Sequence, residues 1–102
     1  MANMVGFEQI TVSTSALSPT VATVTGRAKM AVFLVVSEPL RWRSDGTAPT
    51  ASAGFPIKAD GHVVVVGHSN IINSSFIRSG GTDATLECIY YDNVDIVDIK
   101  PV

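Results

Sequence analysis

The chain has 102 residues, 46% of them hydrophobic and only 16% charged, with a net charge of −2, which bounds it to one domain with a single modest core. Its seven Lys and Arg residues are scattered, with Arg41 and Arg43 close together but no longer run, so no basic stripe is available to nucleic acid. Cys88 is the single cysteine, which excludes an intrachain disulfide and a multi-cysteine zinc site, and the longest apolar run, Met30–Val36, is far too short to span a bilayer.

The opening MANMVGFEQITV lacks a basic start followed by an apolar run, so no cleaved export signal is expected and the chain is read as soluble and made in a reducing cytoplasm. Residues 1–6 are expected as an N-terminal arm. From Phe7 to Thr14 apolar and polar side chains alternate, which sets Phe7 and Glu8 on opposite faces of a strand. PTVATVTG, residues 19–26, is rich in Val and Thr, which suit a pleated, half-buried surface. Ala28–Ser37 is nearly all apolar after Lys29 and reads as a strand covered on both faces.

LRWRS follows, with Leu40 and Trp42 on one face and Arg41 and Arg43 on the other. Trp42 is expected to plug the core with its indole N–H near a polar rim. SDGTAPTASAG then carries turn chemistry: Asp45 can accept from a backbone N–H two residues on, Gly46 supplies a left-handed conformation, and Pro49 stiffens the loop. Thr47 and Thr50 can make similar local bonds. Arg43 is placed to form a fork-type pair with Asp45 and close the loop at its base.

Strands are expected again at His62–His68, Asn70–Arg78 and Ala84–Asp92, separated by KADG, GHSN and SGGTD turns. No twelve-residue window has helical periodicity. About seven or eight short strands with regular turns predict an all-β domain over residues 1–102, a two-sheet antiparallel sandwich of jelly-roll or Greek-key type. The end of the chain, residues 93–102, spaces Asp95 and Asp98 three apart among apolar residues, which fits neither strand face. It is expected as an edge strand ended by Pro101 or as a C-terminal arm reaching a neighbour.

Catalytic chemistry finds little purchase. His62 and His68 share a strand face, but six residues of extended chain hold them roughly 20 Å apart, whereas ligands of one zinc sit about 2 Å from it. No G-x-S-x-G is present, and GHSNI only imitates it. Cys88 has alternating neighbours, as a buried structural thiol does. No G-x-x-x-x-G-K-[ST] phosphate loop exists. The expectation is a protein that is not an enzyme, with no cofactor, no metal and no small-molecule substrate.

LRWRSDGTAPTASAGFPIKADG, NIINSSFIR and the closing ATLECIYY together resemble a pattern found in small tailed-bacteriophage virion proteins, with its R-x-R-x-DGT-x-PT loop and final A-T-L-x-x-x-Y-Y. The resemblance covers roughly residues 28–92 and comes nearest to the capsid cement or decoration proteins. It implies a homodimer or homotrimer that binds across major capsid subunits on the outer capsid surface and stabilises the mature head. On that reading Arg41, Arg43, Asp45, Thr47 and Thr50 of the loop, with Asp95, Ile96, Asp98 and Ile99 of the tail, are the candidate partner-interface residues, and neither nucleic acid nor membrane is a partner. A head-to-tail, tail or fibre-base role would use the same kind of domain. The DGTAPT loop also resembles that of chitobiase-type immunoglobulin-like accessory modules, which would want exposed aromatic rings for carbohydrate and a catalytic domain beside them.

Overall fold

The structure is a computed structural model that describes residues 3–20, 26–50 and 52–93. Among the described residues seven strands form two antiparallel sheets: β1 (Met4–Val12), β2 (Met30–Ser37), β3 (Leu40–Arg43), β4 (Phe55–Ile57), β5 (His62–Val66), β6 (Ser75–Arg78) and β7 (Ala84–Tyr91). A short helix, α1 (His68–Ile72), lies between β5 and β6. The larger sheet runs β1-β7-β2-β5 and the smaller β4-β3-β6. An isolated antiparallel bridge adds Leu17 beside Phe76, with Leu17 N–H donating to the Phe76 carbonyl at 2.9 Å and the return bond at 2.8 Å.

Strict alternation along β7 builds one wall of the core. Ala84, Leu86, Cys88 and Tyr90 are fully buried while Thr85, Glu87, Ile89 and Tyr91 face outward. Their partners across β2 are Val35, Phe33 and Ala31. The second sheet answers with Leu40, Phe76 and Ile57. Phe33 joins the two layers, its ring 4.9 Å from that of Phe76 and 6.2 Å from that of Tyr90, edge-on in both cases. Such contacts add to the area buried by three large rings. As its apolar run requires, β2 is shielded on both sides: Met30 and Val32 on the outer face are as closed to water as Ala31 and Phe33 on the inner.

Several expectations are corrected. Met4–Gly6, expected as part of an N-terminal arm, belong to β1 and pair with β7 through an irregular step between Met4 and Gly6. Asn70–Arg78 is not one strand: α1 takes up its first residues and β6 only the last four. Gly67, at φ 98°, turns the chain out of β5. The Asn70 amide then donates to the Val66 carbonyl, and the Ser74 hydroxyl to the Asn70 carbonyl, so the backbone groups freed at this corner find local partners. The helix delivers Ile71 into the core. β4 arises between the SDGTAPTASAG and KADG turns, where no strand was expected, and its Pro56 is tolerated because β4 lies at the edge of its sheet among the described residues. Most of PTVATVTG, residues 21–25, lies outside the described residues.

Candidate functional site

The loop after β3 is tied down by its own side chains. Arg43 forks onto Asp45, Nε donating to Oδ1 at 3.1 Å and a terminal nitrogen to Oδ2, and the same Oδ1 accepts the Thr47 backbone N–H at 3.3 Å. These bonds hold the Asp45 carboxyl below the usual carboxylate range and push the Arg43 guanidinium up. Arg41 donates to the Gly54 carbonyl at 2.9 Å, and Thr50 exchanges backbone bonds with Ala53. Pro49 is buried beneath them. Arg41, Arg43, Asp45, Thr47 and Thr50 are thus gathered in one corner, where both arginines brace the loop as their first task. Asp45, Thr47 and Thr50 are exposed. Asp95, Ile96, Asp98 and Ile99 lie outside the described residues.

Trp42 packs against the core cluster as expected, edge-on to Phe55 at 6.1 Å. Its indole N–H differs from expectation: it reaches no polar rim and is buried without a hydrogen-bond partner among the described residues. Phe55 itself is 61% exposed, since β4 is an edge strand with water on one side.

At Phe7 and Glu8 the alternation in β1 has the opposite sense from the usual one, whereas Ile10 and Val12 further along face the core. Register with β7 pairs Glu8 with Cys88 and Phe7 with Ile89, so the carboxylate points inward and the phenyl ring outward. Glu8 is accommodated by donors. The buried Tyr90 hydroxyl donates to Oε2 at 2.7 Å, and the Thr20 hydroxyl and N–H donate at 2.6 and 3.0 Å. Burial raises the Tyr90 phenol far above its ordinary value and the Cys88 thiol to about 12, with the Glu8 charge adding to both. A thiol in that state is no nucleophile at neutral pH.

The outward face of the larger sheet carries two straight cross-strand rows. Met4, Tyr91, Met30 and Val66 form one, and Phe7, Ile89, Val32 and Val64 the next. Polar groups return in the rows beyond, where Gln9, Glu87, Leu34 and His62 align, followed by Thr11, Thr85 and Ser37. On the edge strands of the apolar half the exposure is high: Met4 61%, Phe7 51%, Val64 39% and Val66 45%. Single exposed apolar residues are ordinary; here four stand exposed on the edge strands, with Ile89 and Tyr91 half-buried and Met30 and Val32 buried between them.

The two histidines do not meet in a site. His62 stands exposed at the start of β5, and His68 Nδ1 lies 3.0 Å from the Ala28 carbonyl. Among the described residues no group of three His, Cys, Asp or Glu side chains is placed to hold a metal. What the geometry offers is surfaces: a braced loop at one corner and an apolar sheet face. No protein-family model, no curated protein and no solved structure matches the chain.

Proposed function

We propose that this chain is a capsid cement protein of a tailed bacteriophage, a non-enzymatic jelly-roll domain that associates with itself and bridges major capsid subunits on the outside of the mature head. The observation that carries the reading is the order of the strands. A jelly roll runs first, eighth, third, sixth in one sheet and second, seventh, fourth, fifth in the other, an arrangement frequent in viral shells and in lectins. Taking the Leu17 bridge as the second position, β1-β7-β2-β5 and Leu17-β6-β3-β4 follow that order. Fold alone does not assign a role; the resemblance of residues 28–92 to virion proteins and the scarcity of ionic surface supply the rest.

The mechanism is polyvalent attachment. Each copy contributes a modest interface, and once one contact forms the next is effectively intramolecular. The loop closed by Arg43 and Asp45 meets its partner with little entropy left to lose. Strands β1, β5 and β4, which lie at sheet edges among the described residues, are the places where strands can be added or grooves docked. Asp95, Ile96, Asp98 and Ile99 act as the arm that reaches a neighbouring subunit.

Image reconstruction of the intact particle tests this. Density for the chain over the joints of the shell, on the order of hundreds of copies per particle, is expected of polyvalent cement, whereas a dozen or fewer at a vertex or tail would make it a connector or fibre-base part. A chain ending at Asn93 should keep its unfolding midpoint and lose attachment to expanded heads. Retained attachment would remove the tail from the interface.

A further inference from the structure

We infer that the free edge of β5 is a strand-acceptor site whose occupant is residues 94–98 of a second copy of this chain, added antiparallel with Val94 opposite Val66, Ile96 opposite Val64 and Asp98 opposite His62. The inference deepens the proposed function by naming where the arm lands, and rests on the self-association in that reading alone.

The edge itself is the first support. The Gly67 N–H donates to the Lys29 carbonyl at 2.7 Å, and the Val35 N–H to the Gly61 carbonyl at 2.8 Å. With Val64 opposite Val32, that phase of an antiparallel ladder turns the backbone groups of His62, Val64 and Val66 away from β2. The Asn70 amide, 2.9 Å from the Val66 carbonyl, lies on that outer side. Among the described residues the N–H and C=O groups of His62 and Val64 and the N–H of Val66 meet no partner there. Folded sheets blunt such edges with irregular steps, inward charges, proline or shortness. β1 has an irregular step between Met4 and Gly6 and the inward Glu8, and β4 has three residues with Pro56 among them. β5, HVVVV, has none of these devices.

Complementarity is the second. Directly opposite residues of an antiparallel pair stand on one face. With Val94 against Val66, the apolar rows gain Val94 and Ile96, which cover the exposed Val66 and Val64, and the polar row gains the Asp98 carboxylate beside the His62 imidazole. Pro101, with no N–H to give, stands beyond the paired span. Strand addition of this kind draws its affinity from main-chain hydrogen bonds, with the side-chain match setting the register.

Reach is the third, and it makes the donor a second copy. Tyr91, Met30 and Val66 share a row, so a strand outside β5 lies three spacings of about 4.8 Å, roughly 14 Å, from β7. From Tyr91 to Val94 the chain spans at most about 11 Å, and Asp92 is fastened toward β1 by its bonds with Asn3. The segment therefore cannot take this register on its own β5.

Sedimentation equilibrium tests the assignment on the full chain, a chain ending at Asn93, and the Val64→Lys, Phe7→Lys and His62→Asp variants. The full chain and Phe7→Lys, which alters the opposite edge strand, should associate. The shortened chain and Val64→Lys should be monomers with unchanged circular dichroism. His62→Asp should raise the Kd about fivefold, as like charges set opposite one another do, and adding Asp98→Lys to it should restore the original value. A full chain that is monomeric at about 100 µM, or a double variant no better than His62→Asp, overturns the inference. So does association that survives the shortening, which would make the occupant a second β5. Binding to expanded heads is read separately: a monomeric Val64→Lys chain that still attaches leaves the cement proposal standing. A chain that associates as expected and attaches to no head removes the cement proposal alone.

Discussion

At the residue scale the most demanding side chain is Glu8, a carboxylate turned into the sandwich. It is tolerated because three donors reach it, from the Tyr90 hydroxyl and from the Thr20 hydroxyl and N–H, and charge-assisted bonds of this kind are about twice as strong as neutral ones. The arrangement makes Tyr90 and Cys88 reluctant acids, and that has a consequence at high pH. A thiol raised to about 12 in the folded chain keeps its proton where the unfolded chain, at its ordinary 9.0, has lost it. The unfolded state therefore binds fewer protons over that interval, and stability falls as pH rises. Stability should be level from pH 7 to 9 and then decline by up to ~1.4 kcal/mol per pH unit, more steeply once Tyr90 adds its share above 10. Denaturant midpoints measured from pH 7 to 11 check this. In Cys88→Ala the decline should begin one unit later, at the tyrosine; an unchanged profile would show that the buried thiol is not the group that titrates.

At the scale of elements the loop between β3 and β4 is the best test of local design. Gly54 has φ 139°, and a Cβ there would come within 3.0 Å of the Pro49 Cβ and 3.2 Å of the Arg41 Cβ. Gly46 also has positive φ but stands in open space. Gly46→Ala should cost about 1 kcal/mol for the left-handed conformation alone, and Gly54→Ala about 2–3 kcal/mol as strain and crowding combine. Thermal melting resolves the two, since each kcal/mol moves the midpoint of a domain this size by roughly 4–8 °C. Equal costs would mean that Pro49 and Arg41 do not press on Gly54. Much of this element was legible beforehand, because Arg43, Asp45, Gly46 and Thr47 act within a few residues of one another. The same holds for β2, β3 and β7, whose alternation or apolar run announces them. What failed was non-local. α1 and β4 are short and have no periodicity of their own, so the packing of Ile71 and Ile57 decides them. Alternation in β1 separates Phe7 from Glu8, but which of them faces the core depends on register with β7, far along the chain. The apolar rows of the outer face were invisible for the same reason, since each row draws on four strands.

For the whole molecule the governing fact is that the first and last described strands lie side by side. Gly6 pairs with Tyr90, and beyond them Asn3 and Asp92 exchange bonds: Asn3 N–H donates to the Asp92 carboxylate at 2.9 Å, and Asp92 N–H to the Asn3 carbonyl at 3.0 Å. Closing a loop of roughly eighty residues before that pairing repays it costs about 4 kcal/mol of chain entropy. Folding should accordingly be slow, in the range of milliseconds to seconds typical of sandwiches. A circular permutant separates this topological cost from the contacts themselves. Joining Val102 to Met1 and opening new ends between Gly80 and Gly81, where a Cβ on Gly81 would meet nothing within 4 Å, leaves every strand intact. The partners in β1 and β7 are then linked by about fifteen residues, which lowers the closure term by about 1.5 kcal/mol. If β1–β7 pairing is formed in the folding transition state, the permutant should fold about tenfold faster in stopped-flow mixing, with little change in unfolding rate. An unchanged folding rate would place that pairing after the barrier, and the core of Phe33, Phe76 and Leu86 would then have to assemble first, with β1 added as a late edge.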